Sequence, residues 1–234
     1  MIRGWRFPLP RGCPFCDTPV RSLPWAPVWK RICPHCCDGF SPIAPPYCRR
    51  CGRAGREGIC PDCRSHPYPE LIQNCSAVSY TPHTREVIRL YKYLGRERFA
   101  RPMGEMMVSV AACRVRKPDV ISYVPLHPSR LVERGFNQSE QLARFIGKKW
   151  GVPVVSLLVR SSPTRPQSQR SRAERLQSME GVFELHPSIP VGKLVAVNIL
   201  LVDDVYTTGA TLGACARVLV QAGCNSVRSL TFAR

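Results

Sequence analysis

The stretch Leu194 to Leu219, LVAVNILLVDDVYTTGATLGACARVL, decides the fold. From Leu194 to Val202 it is apolar almost without interruption and rich in β-branched side chains, the pattern of a parallel strand covered on both faces. Thr207, Thr208 and Gly209 then supply hydroxyls and a residue that lets the backbone approach a ligand closely. Leu212, Cys215, Ala216 and Leu219 recur at helical spacing, which predicts a helix after the loop. A strand-loop-helix turn aims several unpaired backbone N–H groups at one point, where the positive end of the helix dipole favours a phosphate. Asp203 and Asp204 fall beside that point. Carboxylates are unsuited to touching phosphate, but they accept hydrogen bonds from sugar hydroxyls or help to hold a divalent cation. The simpler reading of the same letters is a strand end followed by an ordinary helix cap.

Working outward, Ser226 to Phe232 reads as a last strand, with Gly223 suited to end the preceding helix. Upstream, Val182–Leu185 and Val154–Val159 read as further strands. Between them Arg160–Arg175, RSSPTRPQSQRSRAER, carries five arginines and one glutamate. Such a stretch cannot bury itself, which predicts a mobile or solvated basic loop. Val120–Val124 reads as a buried strand followed by the loop PLHPSRLVERGFNQSEQLARF, in the place where ligands bind in open α/β sheets. Arg130 in that loop is the residue best suited to phosphate, because guanidinium engages oxygens bidentately. Asn137 or Ser139 suits a helix cap, with Leu142, Phe145 and Ile146 facing inward and Gly151 ending the helix. Earlier still, Ala77–Tyr80 reads as a short strand. Val87, Leu90, Tyr91 and Leu94 mark one apolar helical face, and Met103, Met106, Met107 and Val110 another. Arg96, Arg98 and Arg101 cluster between these helices, suited equally to nucleic acid or to a solvated turn.

The first seventy residues are different in kind. They hold nine of the thirteen cysteines and thirteen of the twenty-three prolines. The division this predicts is a Cys/Pro-rich region over 1–70 and an α/β domain over 76–234. The cysteines form four C-x2-C pairs, Cys13/Cys16, Cys33/Cys36, Cys48/Cys51 and Cys60/Cys63. Two such pairs close one tetrahedral thiolate site, so the spacing predicts two structural zinc sites in a double zinc-ribbon-like arrangement. The simplest assignment pairs them in sequence order, while a cross-braced pairing of first with third and second with fourth also satisfies the spacing. Cys37, His35 and His66 are further candidate ligands that the count does not need. Saturated four-thiolate sites have no open position and exclude zinc catalysis there.

A chain of 234 residues with formal net charge +18 is long enough to bury a sizeable core and favours anionic partners. No apolar run reaches the length of a membrane span, and MIRGWRFPLPRG lacks the apolar centre of a signal peptide, so a cytoplasmic protein is the expectation.

Two resemblances add to this reading. VDDVYTTGAT, from Val202 to Thr211, resembles the fingerprint of the type I phosphoribosyltransferases. Together with the four cysteine pairs, VPLHPSR at Val124–Arg130 and RGFNQ at Arg134–Gln138, it resembles the ComF/GntX family of competence-associated, phosphoribosyltransferase-like proteins over essentially the whole chain. The resemblance implies a doubly wound, mostly parallel α/β sheet of the type I phosphoribosyltransferase kind, preceded by the small Cys-rich zinc-binding domain. It implies a site for phosphoribosyl pyrophosphate (PRPP) with Mg2+. Asp203 and Asp204 would meet the ribose diol. Val205, Tyr206, Thr207, Thr208, Gly209, Ala210 and Thr211 would form the 5′-phosphate loop. Leu126, His127, Ser129 and Arg130 would surround the pyrophosphate. The arginine-rich loop would close over the ligand through Thr164, Pro166, Gln167, Glu174 and Arg175, with Ser178 standing where the family has asparagine. It also implies single-stranded DNA and protein partners of a DNA-uptake machinery, with Tyr91, Tyr93 or Trp150 as candidates for stacking on bases. Two functions follow: a PRPP-binding protein of natural transformation, or an active phosphoribosyltransferase. No residue identifies an acceptor.

Overall fold

The computed structural model describes residues 12–23, 25–65, 68–161, 181–190 and 192–234. His66 and all but the first two residues of the arginine-rich loop, including Thr164, Pro166, Gln167, Glu174, Arg175 and Ser178, lie outside the described residues.

Four strands form one parallel sheet: β1 (Leu71–Val78), β2 (Val120–Tyr123), β5 (Asn198–Val205) and β6 (Ser226–Ala233), in the order β1-β6-β5-β2. Strands β3 (Leu158–Arg160) and β4 (Phe183–Leu185) pair antiparallel beside it. The near-continuous apolar character of β5 has a direct cause. Leu200 and Val202 enter one apolar cluster, while Ile199 and Leu201 enter the other. The first cluster is closed by α4 (Pro82–Tyr93), α5 (Ala100–Ala111) and α7 (Gln138–Trp150), through Val87, Tyr91, Met103, Met107, Leu142 and Ile146. The second is closed by α8 (Ala210–Gln221), through Leu212, Cys215 and Leu219. Helices on both faces make the sheet doubly wound.

The winding also locates a crevice. After β2 the chain runs through α6 (Pro128–Arg134) and α7, and returns to place Val154 in a parallel bridge beside Ile121, on the outer edge of β2. After β5 it runs through α8 to β6, on the opposite side. The two connections leave the β2/β5 pair in opposite directions and cover opposite faces. The loops at the carboxyl ends of β2 and β5 therefore part, which is where an open α/β sheet takes its ligand.

Several boundaries differ from those expected. Strand β5 begins at Asn198, because residues 194–196 form a turn in which Ala196 takes φ 63°. Leu194 is buried all the same, so its apolar character reports packing in the α8 cluster and not extension. The strand continues to Val205 and so carries both aspartates within it. Strand β1 begins at Leu71, well ahead of Ala77, and pairs with β6 from Leu71↔Val227 to Val78↔Ala233. Its polar letters concealed it. Asn74 and Ser76 are fully buried and satisfy one another and β6: Asn74 Nδ2 donates to Ser76 Oγ (2.8 Å), Ser229 Oγ donates to Asn74 Oδ1 (2.8 Å), and Ser76 Oγ lies 2.7 Å from Thr231 Oγ1. The stretch after Val124 is mainly helical, with Pro128 at the first turn of α6, where its missing N–H is harmless.

The cysteine-rich region contributes the short helices α1 (Val28–Arg31), α2 (Pro34–Gly39) and α3 (Pro61–Ser65). It packs into the same two clusters as the sheet. Phe15 lies 5.3 Å from Phe99 and Phe40 lies 6.0 Å from Phe232, ring centre to ring centre. Cys48, Cys51, Cys60 and Cys63 join the α8 cluster with Leu71 and Tyr206. No helix among the described residues is long and apolar enough to cross a membrane.

Candidate functional site

The two aspartates lie just before the last residue of β5, toward the mouth of the β2/β5 crevice, and both are almost entirely buried. Their surroundings differ because successive strand residues face opposite ways. Asp203 Oδ1 accepts from Ser139 Oγ (2.7 Å), in the first turn of α7, and from the Asp204 backbone N–H (2.9 Å). Burial and the adjacent Asp204 charge push the Asp203 carboxyl up to about 7, against the opposing pull of Lys92 and the Ser139 hydrogen bond. Asp204 Oδ2 is ion-paired with Lys92 Nζ from α4. Burial pulls the Lys92 ammonium down, but the Asp204 charge and hydrogen bond more than offset it and leave its pKa raised.

The RGFNQ motif explains how Ser139 reaches Asp203. Gly135 ends α6 with φ 81°, a conformation that favours glycine, and two residues later Asn137 caps α7 by accepting from the N–H groups of Ser139 (3.0 Å) and Glu140 (3.4 Å). Asn137 Nδ2 donates to the Val124 carbonyl (3.1 Å), tying the helix pair to the end of β2. Arg134 hydrogen-bonds Gln138 and lies 5.0 Å from the Tyr93 ring centre. The cap at Asn137 thus fixes Ser139 against Asp203.

Beyond Val205, Tyr206 is buried, Thr207 is exposed and Thr208 half-buried, and Gly209 takes φ 86° at the N-cap of α8. A Cβ at Gly209 would collide with the Tyr206 hydroxyl, so both the dihedral and the close approach require glycine. Thr208 Oγ1 accepts from the Ala210 N–H (3.3 Å), while Thr207 presents its side chain outward. Thr211 continues into the first turn of α8. On the neighbouring strand, Leu126 follows β2, and His127 caps α6 with Nδ1, which accepts from the Ser129 N–H (3.2 Å) and lies 2.7 Å from Ser129 Oγ. Arg130 is held by Glu133 on its own helix (2.7 Å). Arg160 ends β3, with its guanidinium carbon 5.6 Å from the Phe183 ring centre. Its guanidinium is pulled below its usual range by burial and, more weakly, by Arg130, while Cys215 and Asp203 pull the other way.

The cysteines form two separate clusters, Cys13/Cys16/Cys33/Cys36 and Cys48/Cys51/Cys60/Cys63, with the ligand atoms of each within 4.8 Å of one another. This is the sequence-order pairing, and Cys37 and His35 stand outside both groups. The Cys16–Cys33 and Cys51–Cys60 sulfur separations are 3.5 and 3.7 Å. A tetrahedral ion at ~2.3 Å from each sulfur sets them ~3.8 Å apart, so both clusters could hold a metal ion. Backbone donors are aimed at the sulfurs, as when the Cys60 N–H donates to Cys48 Sγ (3.3 Å). Burial pushes the Cys48 thiol up, yet the amides of Cys51, Cys60 and Arg50 outweigh it and bring it down to about 6. Burial pushes Cys33, Cys36, Cys51 and Cys63 up, as expected of clusters that need a cation to hold several thiolates.

The chain is 29% identical over 236 residues to the competence protein ComFC of Bacillus subtilis (strain 168), covering 95% of this chain and 94% of that one. The chain is a homologue of the ComFC and YhgH proteins. ComFC of Streptococcus pneumoniae is 28% identical over 208 residues, 87% of each chain. The DNA utilization protein YhgH of Salmonella typhimurium is 29% identical over 205 residues, 77% of this chain and 87% of that one. No family profile matches. Among solved structures, glutamine PRPP amidotransferase from Bacillus subtilis, complexed with ADP and GMP, superposes with TM-score 0.37 at 20% identity, covering 56% of this chain and 25% of that one.

Three residues at the site carried no usable signal in the sequence. Lys92 falls on what reads as the polar side of α4. Ser139 reads as a cap alternative to Asn137, and Arg160 as the first residue of a basic loop. A stacking role for Tyr91 is ruled out, since it is fully buried with its hydroxyl 3.0 Å from two acceptors, the Gln138 carbonyl and Gln141 Oε1. Trp150 packs against the core, and Tyr93 is 60% exposed.

Proposed function

We propose that the β2/β5 crevice binds PRPP. The observation that carries this reading is the juxtaposition of a buried, charge-compensated aspartate pair with the 206–211 turn and the N-terminus of a twelve-residue helix. The 5′-phosphate takes the backbone N–H groups of Thr207 to Thr211, and Asp203 and Asp204 accept from the ribose diol. Arg130, His127, Ser129 and the Leu126 backbone surround the pyrophosphate. Lys92 occupies the side of Asp204 where a cation ligated by that carboxylate would sit, which favours the diol reading of the pair. Mg2+, when bound with PRPP, would offset the charge of the pyrophosphate, which is the leaving group in any transfer. The chain's own part is to orient the ribose and hold the departing pyrophosphate among arginines, with no covalent nucleophile. Residues 1–70 and 76–234 act as zinc-binding and ligand-binding modules, and zinc is the metal that best fits two four-thiolate clusters.

In the cell the protein serves DNA uptake or utilization in the cytoplasm, with single-stranded DNA and proteins of the uptake machinery as partners. The names of the relatives and the net charge of +18 support this. An active phosphoribosyltransferase is the second reading, since the same crevice would serve turnover. PRPP consumption measured with and without single-stranded DNA separates the two. No release of pyrophosphate in either condition is the expected result for a binding protein. DNA-dependent release would establish the enzyme.

A further inference from the structure

The second cysteine cluster and the 206–211 turn are neighbours. Tyr206, Thr207 and Thr208 line a shallow cleft with Cys63, Tyr68 and Arg234. Arg234 joins the two sides. Its Nη2 donates to Cys51 Sγ at 2.8 Å, its Nη1 donates to the Thr207 carbonyl at 3.1 Å, and its guanidinium carbon lies 4.7 Å from the Tyr206 ring centre. Its backbone is fixed by N–H donation to the Val78 carbonyl (3.0 Å) and by the Tyr80 N–H donating to its own carbonyl (2.7 Å). With the main chain anchored and the planar group laid against a ring, the two donors have little freedom to reorient. Tyr206 packs in turn against Gly209, the N-cap of α8, at a distance too short for any Cβ. A continuous chain of contacts therefore runs from the Cys51 sulfur to the N-cap of the helix.

We propose that Arg234 is a positioning residue that couples the second metal centre to the phosphate turn. A metal-bound Cys51 thiolate accepts a charge-assisted N–H···S bond, which orients the guanidinium. The guanidinium then pins the Thr207 carbonyl and the Tyr206 ring, leaving the N–H groups of the turn facing the crevice. The functional meaning of the coupling rests on the phosphate reading of the turn, but the coupling itself is measurable without ligand.

The test uses the full chain loaded with metal at both centres, comparing wild type with Arg234→Gln and Arg234→Lys. Three readouts are taken: backbone amide exchange of the 206–211 segment, loss of metal to a chromogenic chelator, and the thiolate-to-metal absorption band after Co2+ substitution. Loss of the N–H···S bond is expected to release one of the two metals about tenfold faster, leaving the other unaffected. It should also red-shift the cobalt band and speed exchange of the turn about tenfold with β5 unchanged. Arg234→Lys keeps the charge but cannot bridge both acceptors, so it should fall between the two. Wild-type exchange of the turn in either fully metallated variant, or equal acceleration of both metals, overturns the proposal. If instead the phosphate reading fails, PRPP leaves turn exchange in the wild type unchanged while the difference between wild type and variants persists.

Discussion

Removing the metal from both cysteine centres should collapse more than the first seventy residues. Each cluster brings four thiols together in a region with few apolar residues of its own, so a metal bound there would supply much of the local folding free energy. A structural four-thiolate zinc contributes on the order of 10 kcal/mol, comparable with the whole stability of an ordinary domain. The clusters are also not confined to their own module. Phe15 and Phe40 sit in the core with Phe99 and Phe232, and Cys48 to Cys63 pack with Leu71 and Tyr206. A net loss of even ~5 kcal/mol lowers the melting temperature of a chain of this size by roughly 10–20 °C. The expected result of exhaustive chelation is a fall of at least that size, exposure of apolar surface to a hydrophobic dye, and recovery with two equivalents of zinc. An unchanged melting temperature in protein shown to be metal-free would contradict the structural role.

Lys92→Met should be the most damaging single change near the crevice. The Lys92 side chain is 21% exposed and that of Asp204 5%, so removing the ammonium leaves a buried carboxylate with its main counter-charge gone. Loss of one partner from such a pair costs about 3–5 kcal/mol. The double variant Lys92→Met, Asp204→Asn removes both charges and should recover most of that loss by thermal or denaturant unfolding. If it does not, the pair is not the cause. The pH dependence has a definite sign. Because the Lys92 pKa is raised in the folded state, its contribution is complete below the unfolded lysine value of ~10.4 and is lost as pH rises through the higher folded value. The difference in stability between wild type and Lys92→Met should therefore be largest at neutral pH and shrink in strong alkali.

How far the sequence could be read depended on whether a residue's role was local. Buried β5 and the helix after it were legible because an apolar run and helical spacing encode burial directly. The cysteine pairs were legible because C-x2-C spacing matches the reach of two thiolates to one ion, but which pairs meet is a question of tertiary path, and the structure answers it. Strand β1 was misplaced because Asn74 and Ser76 read as loop residues, and only the partner hydroxyls of Ser229 and Thr231 make them acceptable inside a sheet. The aspartates were identifiable from the strand end, whereas Lys92 and Ser139 lie 112 and 64 positions away in sequence from Asp204 and Asp203. No spacing rule connects partners on different helices, and Arg234 beside Cys51 is hidden for the same reason.

The central claim is that the mouth of the β2/β5 crevice is a PRPP site built on the aspartate pair. Calorimetric titration of Mg-PRPP into wild type and into the Asp203→Ala, Asp204→Ala double variant tests it most directly. Each hydrogen bond to a charged acceptor contributes about 1.5–3 kcal/mol, so binding to wild type and at least a hundredfold weaker binding to the folded, metal-loaded variant is the predicted result. Equal affinity for the two proteins, or no binding to wild type, would contradict it.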